Sequence, residues 1–533
     1  MSVDPHVVLS AFICQILRNW VAKMLALGTL LVSLGTASAY IWPSPQLDAL
    51  EALRWDQDGH RNQPFSIFIE PCSRDLFAPR GTPSGRADSA DWIRTAYHDM
   101  ATYNVADGTG GMDASIRFTE EQARAENAGD GFAHTLSVLD GGVSRYVSIA
   151  DALAIGTVMA IENCGGPEIA FRGGRIDAGE PNTPGVPEPQ QDLQQHIDSF
   201  ARQGFTQTEM IGLVACGHTF GGVQHAPFPD IVPELNDPNN TLSVTHFDST
   251  FAQFDNNVAT EYISGTTKNP LVVGTNDTTN SDKRIFSSDG NATMLSFANS
   301  PQLFASTCAD LFARMLDTVP RGVQLTEVIT PLPVKPYSVQ LVSVGEKLQL
   351  SGEVRFWNMA TANRTVTLLY TDRLGASHIL PTPLTASGTS SAIGGEVHSR
   401  VVRVQHHRVH GPHLWAEVDE LRRGREGGGS GRGGSPIAGR FDVAVRTDAN
   451  ITRLFLQQDA HDSVNRPIIV ETEIPRPAAP VAANTVYEIW SVDVGGGASV
   501  AYTLRAEIAN GSENATASGQ QSLLDLGNVL CAT

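Results

Sequence analysis

Asp91-Trp92-Ile93-Arg94-Thr95-Ala96-Tyr97-His98-Asp99-Met100 is the stretch on which the reading of this chain turns. Asp88 stands where it can cap a helix start, and Asp91 falls in the first turn, where negative charge is favoured. Ile93, Ala96, Tyr97 and Met100 then repeat at helical spacing, as a buried face does. Arg94 and His98 are one turn apart, so their side chains are neighbours. A guanidinium and an imidazole on one helix face can protonate and polarise a small peroxide. Alone, such a pair fits an ordinary solvated helix face equally well. Gly108, Gly110 and Gly111 follow, and glycines there let the backbone turn tightly and bring carbonyls inward. Asp113, Ser115 and Arg117 close the stretch.

A second stretch lies further on. Thr206-Gln207-Thr208-Glu209 has the form of a capping box, and Met210, Leu213, Val214 and Gly217 continue at helical spacing to His218, with Gly221-Gly222 ending the element. A histidine beside glycine on an apolar helix can meet a flat cofactor at short range; a lone one is more often a satisfied core residue. Between the two stretches, Ser148-Ile149-Ala150-Asp151 opens a buried helix over Ile149–Glu162, which Cys164-Gly165-Gly166-Pro167 stops. Leu47–Trp55 has a short helical pattern, Glu120–Asn127 is helix-compatible, and Pro181–Pro189 is a loop.

Taken together, the two histidine stretches resemble the haem peroxidases of the plant, fungal and bacterial superfamily. The wording is closest to secreted fungal (class II) members, with some class I, ascorbate-peroxidase-like, features. Arg94-Thr95-Ala96-Tyr97-His98-Asp99 matches on the distal side and Ala215-Cys216-Gly217-His218-Thr219 on the proximal side. Asn163-Cys164-Gly165-Gly166-Pro167-Glu168 and Gly174-Arg175-Ile176-Asp177 are also family-like. The resemblance covers roughly residues 40–317. It implies a mainly α haem-peroxidase domain over 40–334 and one haem b per chain. His98 would be the distal acid–base, Arg94 its partner, and Asn127 the acceptor of the distal histidine's ring proton. His218 would bind the haem iron. Asp289, in Ser287-Ser288-Asp289, would hydrogen-bond His218 and make it a stronger donor. Phe247 stands on the cofactor side, where intracellular relatives often carry a radical-holding tryptophan. The oxidising equivalent of the ferryl/porphyrin-radical intermediate would then start on the porphyrin.

The resemblance also implies two calcium ions per chain. Asp99, Gly111 (through its carbonyl), Asp113 and Ser115 align with a distal site. Thr219, Asp248, Thr250, Gln253 (through its carbonyl) and Asp255 align with a proximal one. Hard oxygen ligands of this kind suit calcium. Leu213 lies where some lignin-degrading members place a surface tryptophan. Ala87 and Gln224 replace the acids of manganese-oxidising members, leaving Asp91. Tyr97 replaces the more usual distal Phe or Trp. A Cys72–Cys164 disulfide is implied in the same way, with Cys216 read as a buried thiol.

Past about Val334 the texture changes. Tyr337–Val344, Val354–Trp357, Arg364–Thr371, Phe441–Val445 and Thr485–Val492 are rich in β-branched and aromatic residues and separated by turn residues. This predicts an all-β, sandwich-like C-terminal domain over 335–533. Within it, about 398–435 reads as a flexible Gly/Arg/His-rich insertion, carrying His406, His407, His410 and His413.

The bulk properties fit an exported enzyme. The chain has 533 residues, enough for more than one sizeable core, and 41% apolar residues argue against wholesale disorder. A formal net charge of −20 repels phosphate backbones, so nucleic acid is a poor partner. Residues 1–39 read as a targeting segment. Lys23 precedes the apolar run Met24–Leu34, Ala37-Ser38-Ala39 offers a cleavage site before Tyr40, and Met24 is a second candidate start. No later segment reads as a membrane span. Glycosylation sequons occur at Asn239, Asn276, Asn291, Asn363, Asn450, Asn510 and Asn514. With Cys14 removed, five cysteines remain, so at least one thiol is free or paired between chains. The expectation is a secreted, calcium-binding haem peroxidase that reduces hydrogen peroxide and oxidises small, phenolic-type donors by one-electron steps. Its β domain would meet cell-wall polysaccharide. The competing expectation is an inactive cell-wall glycoprotein that keeps a peroxidase-like half.

Overall fold

The computed structural model describes residues 7–10, 44–57, 65–344, 347–357, 366–371, 376–382, 384–390, 397–404, 414–419, 438–446, 451–478, 487–495, 501–510 and 513–522. Helices come first. They are α1 (Pro45–Trp55), α2 (Ser66–Ile69), α3 (Asp88–Met100), α4 (Thr119–Gln122), α5 (Gly131–Leu139), α6 (Ile149–Glu162), α7 (Leu193–Arg202), α8 (Gln207–Gly217), α9 (Asn257–Ser264), α10 (Pro270–Val273), α11 (Ser281–Phe286), α12 (Ala292–Asn299) and α13 (Pro301–Leu316). No helix among the described residues is long and apolar enough to cross a membrane.

α6 is the pillar. It is apolar nearly all round, as a fully enclosed helix must be, and every residue from Ala150 to Glu162 is buried. Ser148 caps it by accepting the Asp151 N–H at 3.0 Å. α3 lies along α6 and also packs on α5. Trp92, Ile93, Ala96 and Met100 of α3 are at most 4% exposed, and burying each large apolar side chain contributes about 1.5–3 kcal/mol. The expected cap at Asp88 is not formed. Ala87 holds the cap position without a side-chain bond, and Asp88 is the first helical residue. Its carboxylate instead accepts the Leu76 N–H at 2.8 Å, and burial pushes its pKa up to about 7. α8 does carry the expected capping box between Thr206 and Glu209. The 120–127 segment breaks into α4 and a 3₁₀ turn, Ala125–Asn127.

Two disulfides fasten the helices. Cys72–Cys164 joins the segment before α3 to the end of α6, with Cα atoms 5.7 Å apart. Cys216 is not a thiol: it is bonded to Cys308 and ties α8, two residues before His218, to α13. Counting cysteines could not reveal this pair, because an odd number leaves the choice of partners open. Cys531 lies outside the described residues.

From Val334 onward the described elements are strands, as the texture change predicts. β1 (Val334–Val344), β2 (Lys347–Trp357), β3 (Leu384–Ser390) and β4 (Val397–Val404) form one antiparallel sheet in the order β1-β2-β4-β3. Pro467–Glu473, Ile451–His461, Ala501–Asn510 and Glu513–Ser522 form a second in that spatial order, and Leu414–Asp419, Ala438–Arg446 and Tyr487–Gly495 a third. Val7–Ser10 pairs in parallel with Val366–Leu369; the rest of the expected targeting segment lies outside the described residues. The 398–435 stretch is not wholly an insertion. Val397–Val404 and Leu414–Asp419 there are paired strands, because β-branched and aromatic residues such as Val401, Val402, Trp415 and Val418 suit a sheet. His406, His407, His410 and His413 lie outside the described residues.

Helical and strand regions are joined by buried charge. Lys335 Nζ donates to Glu51 at 2.8 Å, and Arg355 pairs with Glu51 and with Asp56, the latter at 2.5 Å. None of the four is more than 6% exposed. Trp55 of α1 meets Trp357 of β2 edge-on at 5.8 Å. Glu51→Ala leaves Lys335 with only the part-exposed Asp48 carboxylate and Arg355 with only Asp56, and removing one partner of a buried pair costs about 3–5 kcal/mol. Thermal unfolding of this variant should show a lowered midpoint; an unchanged midpoint would mean the joint is not a stability element.

Candidate functional site

α3 presents Arg94 and His98 on one face, as their spacing predicts. His98 Nδ1 lies 2.6 Å from Asn127 Oδ1. Asn127 is oriented in turn, because its Nδ2 donates to the Glu121 carbonyl at 2.8 Å. The amide oxygen therefore faces His98, places the ring proton on Nδ1 and leaves the Nε2 lone pair open. Burial, then the Arg94 charge, holds the His98 pKa well below the ordinary histidine value. His98 is thus a neutral base across the physiological range.

Arg94 Nη2 donates to the carbonyls of Glu126 (3.1 Å) and Ala128 (3.4 Å), on either side of Asn127. One turn thereby fixes both members of the pair. Phe132 of α5, not singled out in the sequence, underlies both: its ring lies 4.4 Å from the Arg94 guanidinium and 5.0 Å from the His98 ring. Burial lowers the Arg94 pKa to about 10, which still leaves it charged at neutral pH. Tyr97 stacks on Phe200 at 6.0 Å and reaches Gln203 at 3.5 Å. Asp91, the one remaining acid of the manganese-type trio, is held by Arg86 at 2.8 Å.

His218 caps the C-terminus of α8. Its carboxylate partner is Asp282, not Asp289: Nδ1 lies 2.7 Å from Asp282 Oδ2. Asp289 is spent elsewhere, accepting the Thr293 N–H (2.9 Å) and hydroxyl (2.6 Å) at the start of α12. Asp282 sits in the first turn of α11, and Asn269 steadies it with a 2.7 Å bond to the same oxygen. Phe247 stacks on the His218 ring, 4.0 Å between centroids and 12° from parallel. A short hairpin sets that contact, Gly222–Gln224 against Val244–His246. Gly222 is required in it, since a Cβ there would lie 2.3 Å from the Thr245 carbonyl oxygen.

His218 has one nitrogen tied to a carboxylate and no partner among the described residues for Nε2. That is the arrangement of a metal-bound imidazole whose tautomer is set from behind, and the donor set fits a haem iron.

The structure brings each of the two expected calcium sets together around buried carboxylates. Asp248, on the proximal side, accepts the Thr250 N–H on Oδ1 at 2.9 Å, while its Oδ2 is buried without a partner. Burial pushes its pKa up to about 7. Thr219 Oγ1 bonds the Asp255 carbonyl at 2.7 Å, and Asp255 Oδ1 accepts the Asn257 N–H at 2.8 Å. Gln253 is exposed nearby, its N–H on the Thr250 carbonyl at 2.8 Å. An orphaned buried carboxylate oxygen among hydroxyl and carbonyl oxygens fits a hard cation. The distal set converges as well: burial and the neighbouring Asp113 and Glu121 carboxylates raise the Asp99 pKa, and Glu121 Oε2 is buried without a hydrogen-bond partner. Asp99 accepts the N–H groups of Asp113 (2.9 Å), Ala114 (2.8 Å) and Ile116 (3.1 Å), and Asp113 accepts that of Ser115 at 3.1 Å. Gly111 donates its N–H to Thr102 Oγ1 at 3.1 Å. With three carboxylates, the Ser115 hydroxyl and one orphaned buried carboxylate oxygen, this set also fits a hard cation.

Comparison with known proteins follows the same line. The sequence model of the peroxidase family matches residues 79–300. The chain is 40% identical over 353 residues to a WSC domain-containing protein of Arthroderma benhamiae, covering 64% of this chain and 47% of that protein. It is 31% identical over 207 residues to the peroxisomal L-ascorbate peroxidase 5 of Arabidopsis thaliana, covering 39% of this chain and 68% of that protein. It is 30% identical over 135 residues to the mitochondrial cytochrome c peroxidase of Yarrowia lipolytica, covering 24% and 39%. The chain thus spans about half the length of the first of these relatives.

Proposed function

Because this chain belongs to the plant, fungal and bacterial haem peroxidase superfamily, we propose that it is a secreted peroxidase. It would reduce hydrogen peroxide and oxidise small, phenolic-type donors by one-electron steps. The observation that carries this reading is the His98–Asn127 bond beside the Arg94 charge, together with the His218–Asp282 pair. His218 would hold the haem; when bound, the haem supplies the redox chemistry that cleaves peroxide and draws electrons from the donor. The protein's own groups move the proton. His98 Nε2 takes it from the oxygen nearer the cofactor and returns it to the departing oxygen, which leaves as water. Arg94 stabilises the negative charge that develops between those two events. Asn127 keeps His98 in the tautomer that can do this. Asp282 draws on the His218 ring proton and strengthens its donor nitrogen.

Thr219, Asp248, Thr250, Gln253 and Asp255 would hold a calcium ion that steadies the residue next to His218. Export and glycosylation belong to the same reading, supported by the exposed sequon residues Asn239, Asn276 and Asn291. The strand-rich part, with a sandwich-like stacking of its sheets, would be the polysaccharide-facing module.

A second reading is favoured by one observation. The match to the WSC domain-containing protein is longer than the stretch matched by the peroxidase family, and that protein is not named as a peroxidase. On that reading the chain is an inactive cell-wall glycoprotein. The spectrum of purified, haem-supplied protein separates the two. A Soret band with peroxide-dependent dye oxidation supports the enzyme; binding to glucan or chitin with no Soret band and no dye oxidation supports the glycoprotein.

A further inference from the structure

The two disulfides divide the site between them. Cys72–Cys164 closes a loop that holds Arg94, His98, Asn127 and Phe132, and Cys216–Cys308 closes one that holds His218, Phe247, Asn269 and Asp282. Each spans 92 positions, but the two sit differently. Neither Cys72 nor Cys164 lies on α3, the helix that carries Arg94 and His98, whereas Cys216 lies on α8 itself, two residues before His218. We propose that the Cys216–Cys308 bond positions His218: it fixes the last turn of α8, so that the imidazole meets Asp282 and Phe247 in register.

The last turn of a helix lacks partners for its carbonyls and frays. In α8 that turn contains Gly217, which has no side chain to pack and weakens a helix; a Cβ built there would meet nothing within 4 Å. The His218 ring is held at its tip, by Asp282 at 2.7 Å and by the face of Phe247 at 4.0 Å. Its Cα, however, goes where the last turn goes. α13 supplies the support along one stripe. Arg314 donates to the Gly204 carbonyl at 2.6 Å and pairs with Glu209 near the start of α8. Leu311 lies against Gly212, where a Cβ would come within 2.7 Å of its Cδ1. Cys308 bonds Cys216 near the end, and both are fully buried. Positions 314, 311 and 308 thus meet 209, 212 and 216, as two antiparallel helices do at one-turn spacing. Of the three contacts, the covalent one is nearest His218.

Equal loop lengths make each bond the control for the other. In the chain-entropy account, a disulfide acts on the unfolded chain according to the number of residues it encloses. Removing either bond therefore costs the fold the same on that score. A difference at His218 between the two removals belongs to the native state.

The test uses the full chain with two pairs of substitutions, Cys216→Ala with Cys308→Ala and Cys72→Ala with Cys164→Ala. Alanine avoids burying an unpaired hydroxyl in place of sulfur. The first measurement is amide hydrogen exchange without haem. The His218 N–H is bonded to the Val214 carbonyl at 2.9 Å. Its exchange should quicken by about tenfold or more in the first pair and keep the wild-type rate in the second. The second measurement is the reduction potential with haem. It should rise in the first pair, because a ring displaced from Asp282 is a weaker donor, and stay fixed in the second. Equal exchange rates and equal potentials in the two pairs would overturn the inference and leave the bond a general staple. Only the second measurement rests on the haem reading. A wild type that takes up no haem removes that reading, and the exchange rates still decide the inference. If the first pair does not fold, Cys216→Val with Cys308→Ala takes its place. Failure of that variant too, with the second pair folded, would overturn the inference, since the bond would then serve the whole fold.

Discussion

His98→Ala should slow the reaction with hydrogen peroxide by about 10²–10⁴-fold, the usual contribution of a positioned general base, while leaving haem uptake unchanged. The size follows from the site. Nδ1 is committed to Asn127 at 2.6 Å, so Nε2 is the atom that receives the proton, and alanine offers nothing in its place. Arg94 cannot substitute, because it stays protonated at neutral pH. The pH dependence carries the same signature. Burial and the Arg94 charge depress the His98 pKa well below 6.5, so the base stays neutral as pH falls from 8 through 6. The peroxide step should be flat over that range, with its acid limb well below the ordinary histidine value. Stability runs in the same direction. The unfolded state takes up the histidine proton first, so the fold loses stability as pH drops below the unfolded value, towards the depressed folded one. Rapid-mixing measurements across pH check both points; a peroxide step unchanged in His98→Ala would remove the assigned role.

Asp282→Asn is the second large expected effect, with a loss of about 10–100-fold in activity, typical of removing the carboxylate behind a metal-bound histidine. An amide in place of the carboxylate pulls less on the Nδ1 proton, so His218 becomes a weaker donor and the reduction potential of the reconstituted protein should rise. Asp289→Asn is the control. Its carboxylate serves Thr293 at the start of α12, so the potential should stay at the wild-type value. A potential that moves in Asp289→Asn and stays fixed in Asp282→Asn would reverse the assignment.

The pair Asp282 and Asp289 also shows where the sequence stops being informative. Both are acids in one stretch, seven positions apart, after a long loop, and which one meets His218 is settled by a contact across 64 residues. Local spacing has no purchase on such a contact. The distal side was legible because its parts share one helix and one turn: Arg94 and His98 are a turn apart, and Asn127 follows in a recognisable run. α6 and the capping box of α8 were legible for the same local reason. Phe132 was not, since a phenylalanine on an apolar helix carries no mark of what it supports. Cys308 was hidden as well, since its meaning comes from Cys216, 92 positions away. The buried joint of Glu51 and Asp56 with Lys335 and Arg355 was equally invisible. Charged residues on a short helix and on strands read as solvent-facing until the fold encloses them.

The central claim is that His218 holds the cofactor while His98 stands clear of it. The most direct test is the absorption spectrum of haem-reconstituted wild type, His218→Gly and His98→Ala, with added imidazole. The account predicts a five-coordinate ferric spectrum for the wild type, kept in His98→Ala, lost in His218→Gly and restored there by imidazole. An unaltered spectrum in His218→Gly, or loss of the haem band in His98→Ala, would contradict it.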